Sequence, residues 1–557
     1  MGVTARVALV TLCSAYLVVN VYARLNVLFI VVDDLRPQLS CYGYPNMVTP
    51  NIDNFATKSV TFERAYVQQG VCSPSRTSFM TGRRPDTTHV FDLKTYFRNT
   101  TGNFSTIPEY FKNNGYISQS SGKIFHPGIA SGKTDDYPAS WSFPAYHAPT
   151  EKYAIQKVCP GSGGTLYRTA RCPVNVTQQP GGSLPDIQNA DFAIQFLQNR
   201  SEDQKPFFLG MGFMKPHLPF RFPIEYLDLY PLSKVAPAPN PNYPLLLPEV
   251  AWSPWPELRV YDDIVALNVS FPYGPVPPEY ALLLRQAYSA AVTYIDAQVG
   301  RIMAALDTLG LANNTIVTFH GDHGWQLGEH QEWCKHDNFE ITTRVPMFVY
   351  IPGTTAPKAP PGQLFPFFDP FEALRSDYKA PAMTSGRLST DALVEAVDLF
   401  ATLSELAGLP VPPLCPPDSS QVELCTEGYS LVPLIRNLTT SPSNSSFQWK
   451  SAAFSQYPRP SATIQHNSDL PNLDDIRIMG YTMRTDEHRY TEWVAYDPVT
   501  FTANWTQVYA RELYVHSSDP EENYNVADAP LYTQLLTQLS QQLRRGWRAA
   551  LPAMAES

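Results

Sequence analysis

The residues able to do chemistry in this 557-residue chain come in short runs. Asp33 and Asp34 are adjacent, and Cys72, Pro74 and Arg76 share the run Val71 Cys72 Ser73 Pro74 Ser75 Arg76. Lys123 and His126 follow Gly122, Lys215, Pro216 and His217 are consecutive, and His320 Gly321 Asp322 His323 and Trp333 Cys334 Lys335 His336 close the series. Paired carboxylates supply hard oxygens for calcium or magnesium, to which an imidazole is an atypical addition. Lysine and arginine neutralise an oxyanion, histidine carries protons near neutral pH, and cysteine can act as a nucleophile. Each has a plainer reading: Asp-Asp as a solvated turn, Lys123 and His126 as surface side chains, Cys72 as a buried or disulfide-bonded thiol. Position along the chain decides between the two.

Residues 26–32 are continuously apolar and rich in β-branched side chains, the pattern of a strand buried on both faces, and they run directly into Asp33 and Asp34. Residues 116–121 read as a weaker strand before Lys123, residues 206–213 as an apolar strand before Lys215 and His217, and residues 315–319 as a strand before His320 to His323. Ligands of open α/β sheets bind at the carboxyl ends of strands, so one polar pair there is ordinary but a repeated one describes an assembled site. Around these strands the spacing predicts a short helix capped by Ser105 or Thr106 with Glu109 and stopped at Gly115. It predicts an amphipathic helix over 284–309, with Ala290, Tyr294, Ala297 and Arg301 on one side and Gly310 as its cap. A strand over 345–351 and a helix over 390–406, ended by Gly408, follow. Pro-rich stretches at 236–248, 272–278 and 356–370 suit neither core helix nor central strand and read as surface excursions.

A chain of this length, 44% apolar and 12% aromatic, is globular and predicts two unequal domains. The net charge of −10 argues against nucleic acid as a partner, so a polyanionic substrate must meet a local basic pocket. Arg6 followed by an apolar run to Val19 and a small-residue site at Ala23 has the form of a secretory signal over residues 1–23, too short for a transmembrane anchor. Nine Asn-x-Ser/Thr sequons fit a lumenal glycoprotein. With Cys13 in the signal, Cys159 with Cys172 and Cys415 with Cys425 are natural local bridges, which leaves Cys41, Cys72 and Cys334. The polar, Pro-containing stretch 437–446 reads as a linker between a catalytic domain over 24–436 and a smaller α+β domain over 447–557. In that second domain, 478–485 and 488–496 form a hairpin and 531–551 a closing helix.

The spacing Cys72-x-Pro74-x-Arg76, followed by Thr81 Gly82 Arg83, resembles the signature of the sulfatase family. Longer runs resemble a glycosaminoglycan-degrading branch of it: residues 82–88 (GRRPDTT), 102–108 (GNFSTIP), 122–128 (GKIFHPG), 215–219 (KPHLP), 271–275 (FPYGP), 455–460 (SQYPRP) and 478–481 (IMGY). The resemblance implies an alkaline-phosphatase-like α/β fold, a large mixed sheet sandwiched by helices with a smaller C-terminal α+β domain. It implies that Cys72 is oxidised to formylglycine by the formylglycine-generating enzyme, and that one hydroxyl of the hydrated aldehyde attacks sulfur while the other expels sulfate. One calcium ion would be held by Asp33, Asp34, Asp322, His323 and the oxygen of the converted Cys72. Arg76 would bond the diol, Lys123 and Lys335 would neutralise sulfate oxygens, and His126 and His217 would act as acid and base, with His217 and Lys335 on the leaving-group side. The implied substrate is a sulfated glycosaminoglycan oligosaccharide, and the implied place the lysosome, with secretion as the alternative.

Two other readings share this fold. A phosphatase or phosphodiesterase would use serine or threonine and a second metal, where this chain has Cys72 and Lys123; a silent glycan-binding relative would have lost one of the site positions, and none is lost. Two departures from the family pattern stand out: Gly321 where Ser or Thr is expected, and Cys334 with His336 around Lys335 in a loop bordering the expected sugar pocket.

Overall fold

The computed structural model describes residues 24–201, 205–375, 387–440 and 447–552. The expected signal over 1–23 and most of the expected linker lie outside the described residues; the linker's first residues, up to Thr440, belong to a helix, Val432–Thr440.

Seven strands make one sheet: β1 (Asn26–Val32), β2 (Val60–Tyr66), β3 (Ile117–Gly122), β4 (Phe207–Phe213), β5 (Thr315–Gly321), β6 (Arg344–Tyr350) and β7 (Ser389–Glu395). Their order is β7-β2-β6-β5-β1-β4-β3. β1 pairs in parallel with β4 and β5, β3 with β4, and β7 with β2, while β6 runs antiparallel to both of its neighbours. Every strand but β6 therefore ends at the same edge, and the segment entering β6 arrives there.

Every residue of β1, β4 and β5 is buried because both faces of the sheet are covered. Alternate side chains of β1 enter two different cores. Leu28, Ile30 and Val32 pack with Ala287, Ala291 and Ile295 of the helix Pro278–Thr308, whereas Val27, Phe29 and Val31 pack with Phe79, Ile107 and Leu399 on the other face. Burying an aliphatic side chain stabilises by roughly 1.5–3 kcal/mol, so this central strand ties both layers to the sheet.

Thr106 caps the helix Ile107–Asn113 in a full capping box with Glu109. The long helix starts at Pro278 rather than at 284: proline at the first helical position lacks only an N–H that would have no partner there, so the end of one Pro-rich stretch becomes a helix start. Gly310 and Gly408 adopt positive φ after their helices. The helix expected over 390–406 is two elements. Residues up to Glu395 pair with β2 as β7, and Asp398 then accepts from the Glu395 N–H at 2.8 Å and opens the helix Asp398–Leu406. Edge pairing outweighs the helical preference of Ala392, Leu393 and Glu395.

The C-terminal sheet is antiparallel in chain order: β8 (Ala453–Arg459), β9 (Ile478–Arg484), β10 (His488–Asp497) and β11 (Thr502–Val515). Leu539 and Leu543 of the helix Thr533–Arg545 cover Met483, Tyr490 and Leu513. The closing helix is shorter than expected because Gly546, at φ 72°, breaks it before a 3₁₀ turn over Trp547–Ala550. Both expected disulfides are formed, and Cys41, Cys72 and Cys334 are free and buried.

Candidate active site

The carboxyl edge of the main sheet gathers the reactive runs. β1 delivers Asp33 and Asp34, β3 Lys123, β4 Lys215 and His217, and β5 Asp322 and His323. Cys72 arrives differently, as the first residue of the buried helix Cys72–Thr81, which ends on Gly82 at φ 67°. Close approach of β3 and β4 requires two glycines: a Cβ on Gly212 would lie 2.0 Å from the Lys123 carbonyl oxygen, and one on Gly122 would lie 2.1 Å from the Gly212 carbonyl oxygen. Gly321 has a similar reason, since a Cβ there would come 2.3 Å from the Leu35 carbonyl oxygen.

Cys72 is 2% exposed. Its Sγ lies 3.4 Å from Lys123 Nζ, 3.4 Å from His323 Nε2 and 3.5 Å from Asp33 Oδ1. Asp33 bridges two cations, with Oδ2 2.6 Å from Lys123 Nζ and Oδ1 3.1 Å from the Arg76 guanidinium. Arg76 also donates through Nε to Asp322 Oδ2 at 2.9 Å and to the carbonyls of Lys123 and Ile124. Asp322 spends Oδ1 on the N–H groups of Asp34 (2.9 Å) and His323 (3.0 Å).

Asp33, Asp34, Cys72 and His323 offer ligand atoms within 4.8 Å of one another. Asp322 stands at the rim of this group, its Oδ2 3.6 Å from His323 Nε2. The donor set fits a cation. His323 Nδ1 donates to the Gly324 carbonyl at 2.9 Å, so Nε2 turns a lone pair toward Asp34 Oδ1 at 3.4 Å, acceptor against acceptor. Burial, reinforced by the Asp33 charge against the pull of Lys335, lifts the Asp34 carboxyl well above the usual range, the mark of a carboxylate short of positive charge. Burial also disfavours the Asp33 anion, yet Lys123, His217 and Arg76 hold its pKa well below the usual range. The Cys72 thiol is pushed up to about 12 by burial and then by Asp33, so as a thiolate nucleophile this cysteine is badly placed. Lys123 is raised to about 12 because Asp33 and Cys72 outweigh its desolvation.

A second layer faces the mouth. Lys335 Nζ lies 3.0 Å from Asp34 Oδ1 and 4.9 Å from the centre of the Trp325 ring. Lys335, His217 and His336 all meet Glu257, and His336 Nδ1 is 2.8 Å from the Tyr457 hydroxyl, which donates to the Asp469 carbonyl at 2.5 Å. His126 is close enough to Lys123, Asp33 and Arg76 to feel their charges, and burial followed by Lys123 pushes it down to about 3, but its buried Nδ1 has no partner. Lys215 turns away, donating to the Pro219 carbonyl at 3.0 Å. Cys334 fills core space beside Trp325 and Trp333. Asp34, Cys334 and His336 all hold positive φ (59°, 72° and 87°), and such strain in non-glycine residues concentrates at functional sites.

Sequence reasoning missed Glu257 and Tyr457. Glu257 sits between the Pro-rich stretches 236–248 and 272–278, in a segment with no predicted element, and Tyr457 lies on β8 of the C-terminal sheet. The one available signal was local: Trp252 and Trp255 beside an acid in a stretch with no helical or strand period.

A thiol unfit as a thiolate, set among two lysines, an arginine and a carboxylate–imidazole cluster, is an arrangement suited to holding an oxyanion ester. The family model described as Sulfatase matches residues 25–409, and the chain belongs to that family: it is a sulfuric ester hydrolase. Among its relatives it is 51% identical to mouse Iduronate 2-sulfatase over 518 residues, 92% of this chain and 93% of that protein. It is likewise 51% identical to human Iduronate 2-sulfatase over 505 residues, 90% and 91% of the two chains. The fold is shared with solved structures of low identity. A phosphonate monoester hydrolase from Silicibacter pomeroyi has TM-score 0.66 at 19% identity over 95% of this chain and 96% of its own, and a 2-O GAG sulfatase has TM-score 0.59 at 19% identity over 96% and 95%.

Proposed function

We propose that this sulfatase removes the 2-O-sulfate from a terminal iduronate of heparan or dermatan oligosaccharides, acting from the chain end and best below neutral pH. The observation that carries the reading is 51% identity to two iduronate 2-sulfatases across nine-tenths of the chain, together with a Cys72 environment suited to an oxyanion. The catalytic residues are Cys72, Arg76, Lys123, His126, His217 and Lys335. Cys72 is converted to formylglycine by the formylglycine-generating enzyme, and its hydrate supplies the attacking oxygen. One calcium ion would be held by Asp33, Asp34, Asp322, His323 and the oxygen at position 72, and would supply Lewis-acid polarisation of the sulfate there.

The chain's own residues do the rest. Arg76 and Lys123 bracket position 72 and orient its oxygens, the fixed Lys335 ammonium meets a sulfate oxygen from the mouth side, and His217 stands where a sugar oxygen departs. With the catalytic unit taken as residues 24–436 and the C-terminal unit as 447–557, Tyr457 reaches across from the second to fix His336. The work is that of a glycosylated lysosomal protein that enters the secretory pathway through residues 1–23, with secretion as the alternative destination; among the described residues no helix is long and apolar enough to cross a membrane.

Two measurements test this. The tryptic peptide spanning residues 65–76, from protein made in a eukaryotic secretory pathway, carries an aldehyde at position 72; a peptide that alkylates throughout as a free thiol overturns the mechanism. On disaccharides sulfated at iduronate 2-O, glucosamine 6-O or glucosamine N, the 2-O ester is turned over fastest. Preference for either glucosamine sulfate leaves a sulfatase of another position and points to the loop holding Cys334 and His336.

A further inference from the structure

We propose that Glu257 is the positioning residue of the leaving-group side: its carboxylate holds His217 in the orientation from which a proton reaches the departing sugar oxygen, and holds Lys335 beside it. The inference rests on the site residues proposed above and adds one that neither the motifs nor the relatives' names point to.

Three nitrogen-bearing side chains from two segments converge on this carboxylate. Glu257 Oε1 lies 3.3 Å from His217 Nε2 and 3.3 Å from Lys335 Nζ, and Oε2 lies 3.1 Å from His336 Nε2. Its carrier is rigid. The short helix Pro256–Arg259 follows the buried Trp255, which holds φ 45°, and the Arg259 guanidinium stacks 3.6 Å from the Trp255 ring while donating to the carbonyls of Pro254, Val269, Ser270 and Pro272. The Glu257 side chain is 21% exposed, so it lies at the mouth and is not sealed beneath it.

A carboxylate at the entrance of an anion-binding pocket repels the substrate, and is tolerable there only if it organises the cations that attract it. The contacts have that form. His217 Nδ1 is tied to the Leu218 carbonyl at 2.6 Å, so the ring can present only Nε2 to the pocket, and Glu257 with Asp34, 4.0 Å away, sets where Nε2 points. Lys335 Nζ sits between Asp34 (3.0 and 3.3 Å) and Glu257, so the cluster of Asp34, His217 and Glu257, which could otherwise hold an ion, already has its positive charge in place. In the reaction an oxygen at position 72 bonds to sulfur and the bond from sulfur to the sugar oxygen breaks. The electron pair stays on the sugar oxygen, which takes the proton from Nε2 of a doubly protonated His217 ring, the form that burial and then Lys335 oppose and that Asp33 and Glu257 favour.

Leaving-group dependence tests the role, because a phenol departs without a proton and a sugar alcohol does not. Wild type, Glu257→Gln, Glu257→Asp and His217→Gln are assayed on the 2-O-sulfated iduronate disaccharide and on 4-nitrophenyl sulfate. Glu257→Gln should lower kcat on the disaccharide by about 100-fold or more and on the aryl ester by less than about 5-fold, with His217→Gln showing the same imbalance and Glu257→Asp recovering part of it. The ratio of the two losses, measured on one preparation, is independent of the fraction folded. Combining Glu257→Gln with His217→Gln should add no further imbalance. Equal losses on both esters, or no loss on the sugar, overturn the inference alone; a wild type inactive on both esters overturns the site reading beneath it.

Discussion

At the scale of single residues, the site is a balance of buried charges that lacks one partner. Asp34 has Lys335 on one side and the His323 lone pair on the other, and a cation seated between them would relieve the clash. Exhaustive chelation should therefore lower sulfatase activity by about 100-fold or more, with recovery on adding back calcium; full activity in a chelated, metal-free preparation refutes the metal assignment. The same accounting of partners separates one sequon from the rest. Asn313 Nδ2 donates to the Ala359 carbonyl at 2.7 Å and its Oδ1 accepts from the Ala359 N–H at 3.1 Å, so a glycan on Nδ2 would displace the donated bond and crowd the Ala359 backbone. Asn99, Asn175 and Asn504 are exposed. Glycopeptide mapping should find those three occupied and Asn313 bare, and a fully occupied Asn313 contradicts the packing.

At the scale of elements, the join between β3 and β4 is the least tolerant part of the site's frame. Gly212→Ala would drive a methyl into the backbone of Lys123, with no flexible side chain able to give way, and should destabilise the protein by roughly 3 kcal/mol or more while displacing the Lys123 ammonium from Asp33. Urea midpoints and kcat of the variant check both halves, and a variant as stable and active as wild type refutes the argument. This join also shows what a sequence makes legible. β1, β4 and β5 were readable because burial on both faces leaves long apolar runs, and the acids and bases directly after them came with the strands. β2 and β11 were missed because Glu63, Arg64 and the alternating polar side chains of residues 502–511 break that pattern. β7 has a helical pattern in its own sequence because its stabilising partner, β2, lies far away in the chain. Glu257 and Tyr457 reach the site through tertiary packing, on a turn without period and on a strand of the other sheet, so no spacing within their own segments ties them to it, and Trp252 with Trp255 is the one local hint.

At the scale of the whole molecule, buried titrating groups set a preferred pH. Burial raises Asp53 and Asp186 to about 6 and Asp296 and Asp469 to about 8, so between the unfolded value near ~4 and these values the folded chain binds more protons, and stability falls as pH rises through them. Burial also pushes His126 and His320 down to about 3, so below the unfolded value near ~6.5 the unfolded chain binds more protons and stability falls as pH drops. Glu395, whose desolvation is overcome by Arg84 and Lys450 so that it lies at about 2, contributes stability that is lost on further acidification below ~4.5. Four raised carboxyls outweigh two lowered imidazoles between pH ~4.5 and ~6.5, so the thermal midpoint should be highest near pH ~4.5, fall toward pH ~8 and fall again below pH ~4; a midpoint that climbs from pH ~5 to pH ~8 refutes this balance.

Burial of Cys72 has a further consequence, one of timing. In the folded chain the sulfur is covered by groups as distant in sequence as Lys123 and His323, so another enzyme can reach it only before those groups are in place. At roughly 5–20 residues per second, tens of seconds separate synthesis of position 72 from that of position 323. The oxidation proposed for this cysteine therefore has a deadline set by the ribosome: a chain that closes before it is modified keeps its thiol for life.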